Sequence, residues 1–203
     1  GRKGKHDLAI VFGIESYKNV PGVSFAKRDA EWMKKYFESV LGIPKNRIYY
    51  KTDSDVGQAE FNKVFGERGW IEKRIKNGKT NVFVYYAGHG ELDVATNTGS
   101  WLPVNAERDN DTEWIANSRV TNVLSALRSR NAMVIADSCY SGSIFRGGGS
   151  TTLTAETREQ EIRRLNDKRT RVALTSGGNE PVVDSVDGSN HSVFAGSFID
   201  VLE

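Results

Sequence analysis

Two side chains in this sequence have the chemistry and setting for covalent catalysis: the lone cysteine, Cys139, and a histidine 50 positions before it, His89. Cys139 stands in Asp137-Ser-Cys-Tyr-Ser-Gly142 and His89 in Tyr85-Tyr-Ala-Gly-His-Gly90. A thiol attacks carbonyl carbon as the thiolate, and an unperturbed pKa of about 8.5 leaves only a few per cent of it at neutral pH. An imidazole beside it accepts the thiol proton and can later return it to a leaving amine. Small residues flank both groups, Gly88 and Gly90 on one side and Ser138, Ser141 and Gly142 on the other. Such residues let a peptide backbone approach and leave main-chain N–H groups to face a developing oxyanion. The plainer alternative is a buried filler thiol and a structural histidine.

Position argues for the pair. Asn81–Tyr86 is a buried-type apolar run that leads straight into the histidine turn, and Ala132–Ala136 leads straight into the cysteine turn. Continuous runs of this kind suit strands covered on both faces, and in open parallel sheets the ligand crevice lies beyond the carboxyl ends of the strands. Further strands are expected at Asp7–Ile14, Arg47–Tyr50 and Arg171–Ser176. Between them, threes and fours of apolar spacing predict a helix from Ala26 to Val40 with Ser24 as N-cap, and one over 58–76 weakened by Gly66 and Gly69. Another follows through Val120, Val123, Leu124 and Leu127, capped by Ser118, and a closing helix carries Phe194, Phe198 and Leu202. A hairpin is expected around Asn97-Thr-Gly99. Strands alternating with helices predict an α/β fold, a three-layer α/β/α sandwich with a mostly parallel central sheet.

Composition narrows the function classes. The 203 residues fit one domain, with 38% hydrophobic and 10% aromatic residues, enough for a core. Lys and Arg total 28 against 26 Asp and Glu, a net +2 that gives no global field for nucleic acid or an anionic membrane. No run approaches the roughly 18 apolar residues of a membrane span, and nothing at the start reads as a signal peptide, so a cytoplasmic setting is the expectation. One cysteine excludes an intrachain disulfide and a multi-cysteine zinc site. No nucleic-acid or membrane partner is expected. The basic start, residues 1–6, reads as a linker remnant and 7–203 as the domain. The chain stops within an apolar helical pattern, which suggests other domains of a longer protein.

The two motifs resemble those of caspase-like cysteine peptidases, whose histidine also lies about 50 residues upstream of the cysteine. The resemblance extends to the first strand, Lys27-Arg-Asp-Ala30, Leu174-Thr-Ser176 and Asn190-His-Ser-Val-Phe194. A true caspase has Gln-Ala-Cys-x-Gly at the nucleophile; here Asp137 stands at the glutamine position, a form similar to metacaspases and their bacterial relatives. The resemblance implies Cys139 as nucleophile, His89 as general base and acid, and an oxyanion hole from the N–H groups of Gly90 and Cys139. It also implies that Asp29 and Asp137 line the pocket for the substrate residue before the scissile bond. Asp29 falls on the inward stripe of its helix, where an unpaired carboxylate would be costly. Two carboxylates there would take arginine or lysine. The alternative is an internal ion pair of Asp29 with Arg28 or Lys27.

The segment 143–170, with Gly147-Gly-Gly149 and many charges, reads as a flexible linker. Enzymes of this kind are often activated by cleavage after the cysteine motif, which makes Arg146, Arg158, Arg163, Arg164, Lys168 and Arg169 candidates for self-cleavage; an ordinary solvated loop is the alternative. No cofactor is required and no metal ligand set is assigned. Calcium dependence stays open through the resemblance, since Asp109-Asn-Asp111-Thr-Glu113 lacks the glycine and distal glutamate of an EF-hand. Gly78-Lys-Thr80 lacks the first glycine of a phosphate loop, no Gly-x-Ser-x-Gly elbow occurs, and Asp53 reads as a polar-loop residue. His6 and His191 have no ligand-spaced partners and read as structural or exposed. The competing functional class is a caspase-like scaffold that binds without cutting.

Overall fold

A computed structural model describes residues 4–93, 96, 98–138, 171–176 and 190–202. In chain order the strands and helices are β1 (Leu8–Gly13), α1 (Ala26–Ser39), β2 (Ile48–Thr52), α2 (Gln58–Phe65), β3 (Asn81–Ala87), β4 (Gly90–Asp93), β5 (Thr98–Trp101), β6 (Ile115–Ala116), α3 (Asn117–Ala126), β7 (Asn131–Asp137), β8 (Arg171–Thr175) and α4 (Val193–Leu202). The main sheet runs β2-β1-β3-β7-β8 with every neighbouring pair parallel. Beside it, β4, β5 and β6 make a small antiparallel sheet.

The apolar runs explain the layering. All six residues of β1 are buried, because alternate side chains enter opposite cores. Leu8, Ile10 and Phe12 join Phe61, Val64, Val120 and Leu124 on the face covered by α2 and α3. Ala9 and Val11 join Ala26, Ala30, Met33 and Phe37 of α1 on the other, where Phe194 and Phe198 of α4 pack alongside. The result is the expected three-layer α/β/α sandwich. β3 lies between β1 and β7, and the pairing of Ala87 with Asp137 brings their carboxyl ends level. The histidine turn and the end of β7 therefore emerge side by side, strands in a sheet standing about 4.8 Å apart.

Several local expectations are corrected. The helix expected over 58–76 stops at Phe65. Gly66 takes an extended conformation (φ −75°, ψ 170°), and the chain folds back with Trp70 N–H donating to the Lys63 carbonyl at 2.8 Å before a 3-10 turn at Glu72–Arg74. Ser24 does not cap α1: Phe25 occupies the cap position in a left-handed conformation (φ 68°) with no side-chain cap bond. Ser118 does not cap α3 either, because β6 hands Ala116 directly to the helix start. Ahead of β1, Gly4 N–H donates to the Leu41 carbonyl at 2.8 Å, and the His6 carbonyl accepts from Arg47 at 2.7 Å. None of the helices among the described residues is long and apolar enough to cross a membrane.

Candidate active site

His89 sits in the two-residue connection between β3 and β4, just past the carboxyl end of β3. Its Nε2 lies 2.8 Å from the main-chain carbonyl of Pro21. A carbonyl only accepts, so Nε2 carries the proton and the Nδ1 lone pair is left to act as a base. The backbone of His89 is held as firmly as its ring. The phenol oxygen of Tyr17 accepts from His89 N–H at 2.7 Å, and the phenol of Tyr86 donates to the His89 carbonyl at 2.7 Å. The Tyr17 and His89 rings are 4.8 Å apart, centre to centre. Burial pushes the Tyr17 hydroxyl well above its ordinary pKa, against the lowering effect of its bonds with Tyr86 and His89, so the phenol stays neutral at any working pH.

Gly90 opens β4 opposite Trp101 of β5. Since Leu102 N–H donates to the His89 carbonyl at 3.1 Å, the His89 and Leu102 positions share a ladder bond. Alternation along an antiparallel ladder then turns the next N–H, that of Gly90, away from β5. Such an N–H is free of the ladder and suits an oxyanion donor.

Asp29 and Asp137, from the first helix and the end of β7, are brought together by residues 191–192. Asp29 is 1% exposed. One of its carboxylate oxygens bonds Nδ1 of His191, and the other accepts the Ser192 N–H at 3.1 Å. The Ser192 hydroxyl donates in turn to Asp137 and accepts the Ala195 N–H at 3.0 Å, capping α4. The ion pairs weighed for Asp29 are not formed. Lys27 reaches Asp53 at 3.3 Å, and Arg28 reaches the Asn190 carbonyl at 2.9 Å. Helical geometry explains this, since neighbours at 27 and 28 point away from the face that buries 29, 30 and 33.

Tyr85 belongs to the same acid cluster, and sequence reasoning gave it no role. Its side chain is fully buried, and among the described residues its hydroxyl has no hydrogen-bond partner. Burial pushes that hydroxyl well above its ordinary pKa, and the charges of Asp137 and Asp29 push the same way. The signal was present in the alternation of β3, which puts Tyr85 and Ala87 on the α1 face. His191, read as structural or exposed, is the partner of Asp29. A cavity of about 450 Å³ opens between Glu15, Val23, Phe25, Arg28 and Glu31. Cys139 and the linker positions Arg146, Arg158, Arg163, Arg164, Lys168 and Arg169 lie outside the described residues. Among the described residues, no three His, Cys, Asp or Glu side chains group as a metal site.

The family model of the peptidase C14 caspase domain matches residues 6–203. A solved structure of pro-sf-caspase-1 is similar in fold, with a TM-score of 0.52 at 13% identity, covering 100% of this chain and 72% of that one. No curated protein matches the sequence.

Proposed function

The chain belongs to the peptidase C14 caspase-domain family, a family of cysteine peptidases, and on that premise we propose that it is an endopeptidase cutting after arginine or lysine through Cys139 and His89. The observation that carries the reading is the bond from His89 Nε2 to the Pro21 carbonyl at 2.8 Å. It dedicates the other ring nitrogen to proton transfer, at a turn level with the end of β7, two residues before Cys139 in the chain.

The steps follow from that tautomer. The Cys139 thiol gives its proton to His89 Nδ1, and sulfur attacks the carbonyl carbon after the basic residue. The tetrahedral oxyanion is held by the N–H groups of Gly90 and Cys139. On collapse the C–N bond breaks and His89 passes its proton to the leaving amine. Water then loses a proton to His89 as it attacks the thioester, the C–S bond breaks, and the thiolate recovers that proton. Asp29 and Asp137 supply the negative charge that selects a basic side chain; arginine can use both through its planar fork. An acidic side chain would face two like charges. Cleavage within 143–170, after Arg146, Arg158, Arg163, Arg164, Lys168 or Arg169, fits the same specificity and would be the enzyme's own activation step.

Replacing Cys139 by Ala is the direct test. Hydrolysis of Arg and Lys reporter peptides should vanish while the melting curve stays that of the parent. Retained hydrolysis in Cys139→Ala overturns the assignment, and mass spectrometry of incubated parent protein, with active enzyme and no fragments ending at the linker positions, overturns the self-cleavage step.

A further inference from the structure

The assignment of His89 and Gly90 to catalysis leaves open what holds them still, and for that role, resting on the Cys–His reading above, we propose the phenol pair Tyr17–Tyr86 as a positioning device. Among the described residues, hydrogen bonds link the backbone of His89 to Tyr17, Tyr86 and Leu102. His89 N–H donates to the Tyr17 oxygen at 2.7 Å. The Tyr86 hydroxyl donates to the His89 carbonyl at 2.7 Å and also faces the Leu102 carbonyl at 3.1 Å. With the Tyr86 proton so used, the Tyr17 proton is directed at the Tyr86 oxygen, 3.4 Å away. Both main-chain groups of His89 are thus tied to one pair of hydroxyls.

An ordinary antiparallel ladder would not need them. Leu102 N–H donates to the His89 carbonyl at 3.1 Å, and the reciprocal bond of such a pair would run from His89 N–H to the Leu102 carbonyl. Here Tyr17 has taken the donor and Tyr86 reaches the acceptor. The consequence falls on the next residue. In a trans peptide the C=O and N–H point in opposite directions. Fixing the His89 carbonyl therefore aims the Gly90 N–H, and a slack carbonyl would leave the oxyanion donor free to swing.

Gly88 fits this role better than the one suggested by its sequence. A Cβ at Gly88 would stand 2.5 Å from the Tyr17 hydroxyl oxygen and 2.9 Å from that of Tyr86. The small residue makes room for the phenols, not only for a substrate backbone. The Tyr86 ring is itself stacked on buried Trp101, centres 4.5 Å apart at 11°. Removing the Tyr86 hydroxyl would spare the ring packing and leave the 89–90 peptide with only the Leu102 N–H to hold it, and removing that of Tyr17 would loosen the 88–89 peptide that carries the His89 ring.

The test compares Tyr17→Phe and Tyr86→Phe with the parent, using an Arg reporter peptide, melting curves and NMR hydrogen exchange at the His89 amide. Both variants should keep their fold and show kcat lowered about tenfold with KM unchanged, since misplacing a reacting group costs rate more than binding. Exchange at the His89 amide should quicken in Tyr17→Phe. Unchanged kcat in folded Tyr17→Phe overturns the proposal, whether or not exchange changes, and an equal rise in KM reduces the pair to a fold element and overturns it too. Should Tyr86→Phe fail to fold, Tyr17→Phe decides alone. A parent protein that neither cleaves the reporter nor is alkylated at Cys139 contradicts the peptidase reading itself, and with it the device; normal parent activity with normal Tyr17→Phe activity contradicts the device only.

Discussion

At the end of β3, His89 is held on three sides: by the Tyr17 and Tyr86 hydroxyls on its backbone and by the exposed Pro21 carbonyl on its ring. The carboxylates Asp29 and Asp137 meet differently, through His191 and Ser192 at the entrance to α4. The first arrangement is a fixed frame in which no bond need break for the base to work. The second is a bridge whose bonds a guanidinium or ammonium ion would have to share or replace. The contrast separates the two tasks of the proposed enzyme, with rigid placement for proton transfer and exchangeable hydrogen bonds for side-chain selection.

Mutations on the two sides should therefore fail in different ways. The largest effect is expected for His89→Ala, which removes the base and should lower kcat about 10²–10⁴-fold with little change in melting temperature. Next comes Asp29→Asn. Losing a charge-assisted hydrogen bond worth about 1.5–3 kcal/mol should cut kcat/KM for Arg and Lys reporters about 10- to 100-fold. Loss through kcat alone would erase the distinction between the sides.

His191→Ala sharpens the comparison from the other direction. It strips a partner from a nearly fully buried carboxylate, which should cost about 1–3 kcal/mol of stability in urea unfolding. Turnover at saturating Arg reporter should stay at the parent value, because the base and the oxyanion donor are untouched. A loss of kcat comparable to that in His89→Ala would show the two sides to be one unit.

The smallest effect belongs to Asp53, which secures the loop carrying Tyr17 and Pro21. Its carboxylate accepts from the Glu15 and Ser16 amides at 2.8 and 3.0 Å and pairs with Lys27 at 3.3 Å. Burial alone would raise its pKa, but the two amides and Lys27 outweigh burial and leave it below the ordinary carboxylate value. The group is thus more acidic folded than unfolded. Its stabilisation is present above the unfolded pKa of about 3.9 and is lost as pH falls through the folded value. Urea midpoints below about pH 4 should drop in the parent, and Asp53→Asn should flatten that part of the profile.

How legible all this was in sequence depended on range. The burial of β1 and the emergence of His89 from β3 were written in continuous apolar runs, because such runs need cover on both faces. The stripe that placed Asp29 inward was equally plain. Local rules failed at two helix ends: Phe25 stands in a left-handed turn in place of a Ser24 cap, and Gly66 ends a helix that apolar spacing would have continued. Least legible were the partners. Periodicity says which side of an element is buried but not what it meets, so it could not match Asp29 with His191, 162 positions away, or His89 with Tyr17 from a loop.

The central claim is that Cys139 and His89 form the nucleophile and base of an enzyme selective for basic residues. Peptide acyloxymethyl ketones that differ only in the residue next to the warhead, arginine or aspartate, test it most directly when adducts are followed by intact-protein mass spectrometry. A single adduct on Cys139 is expected, formed faster with arginine than with aspartate and lost in His89→Ala. No adduct, labelling indifferent to His89, or a preference for aspartate would contradict it.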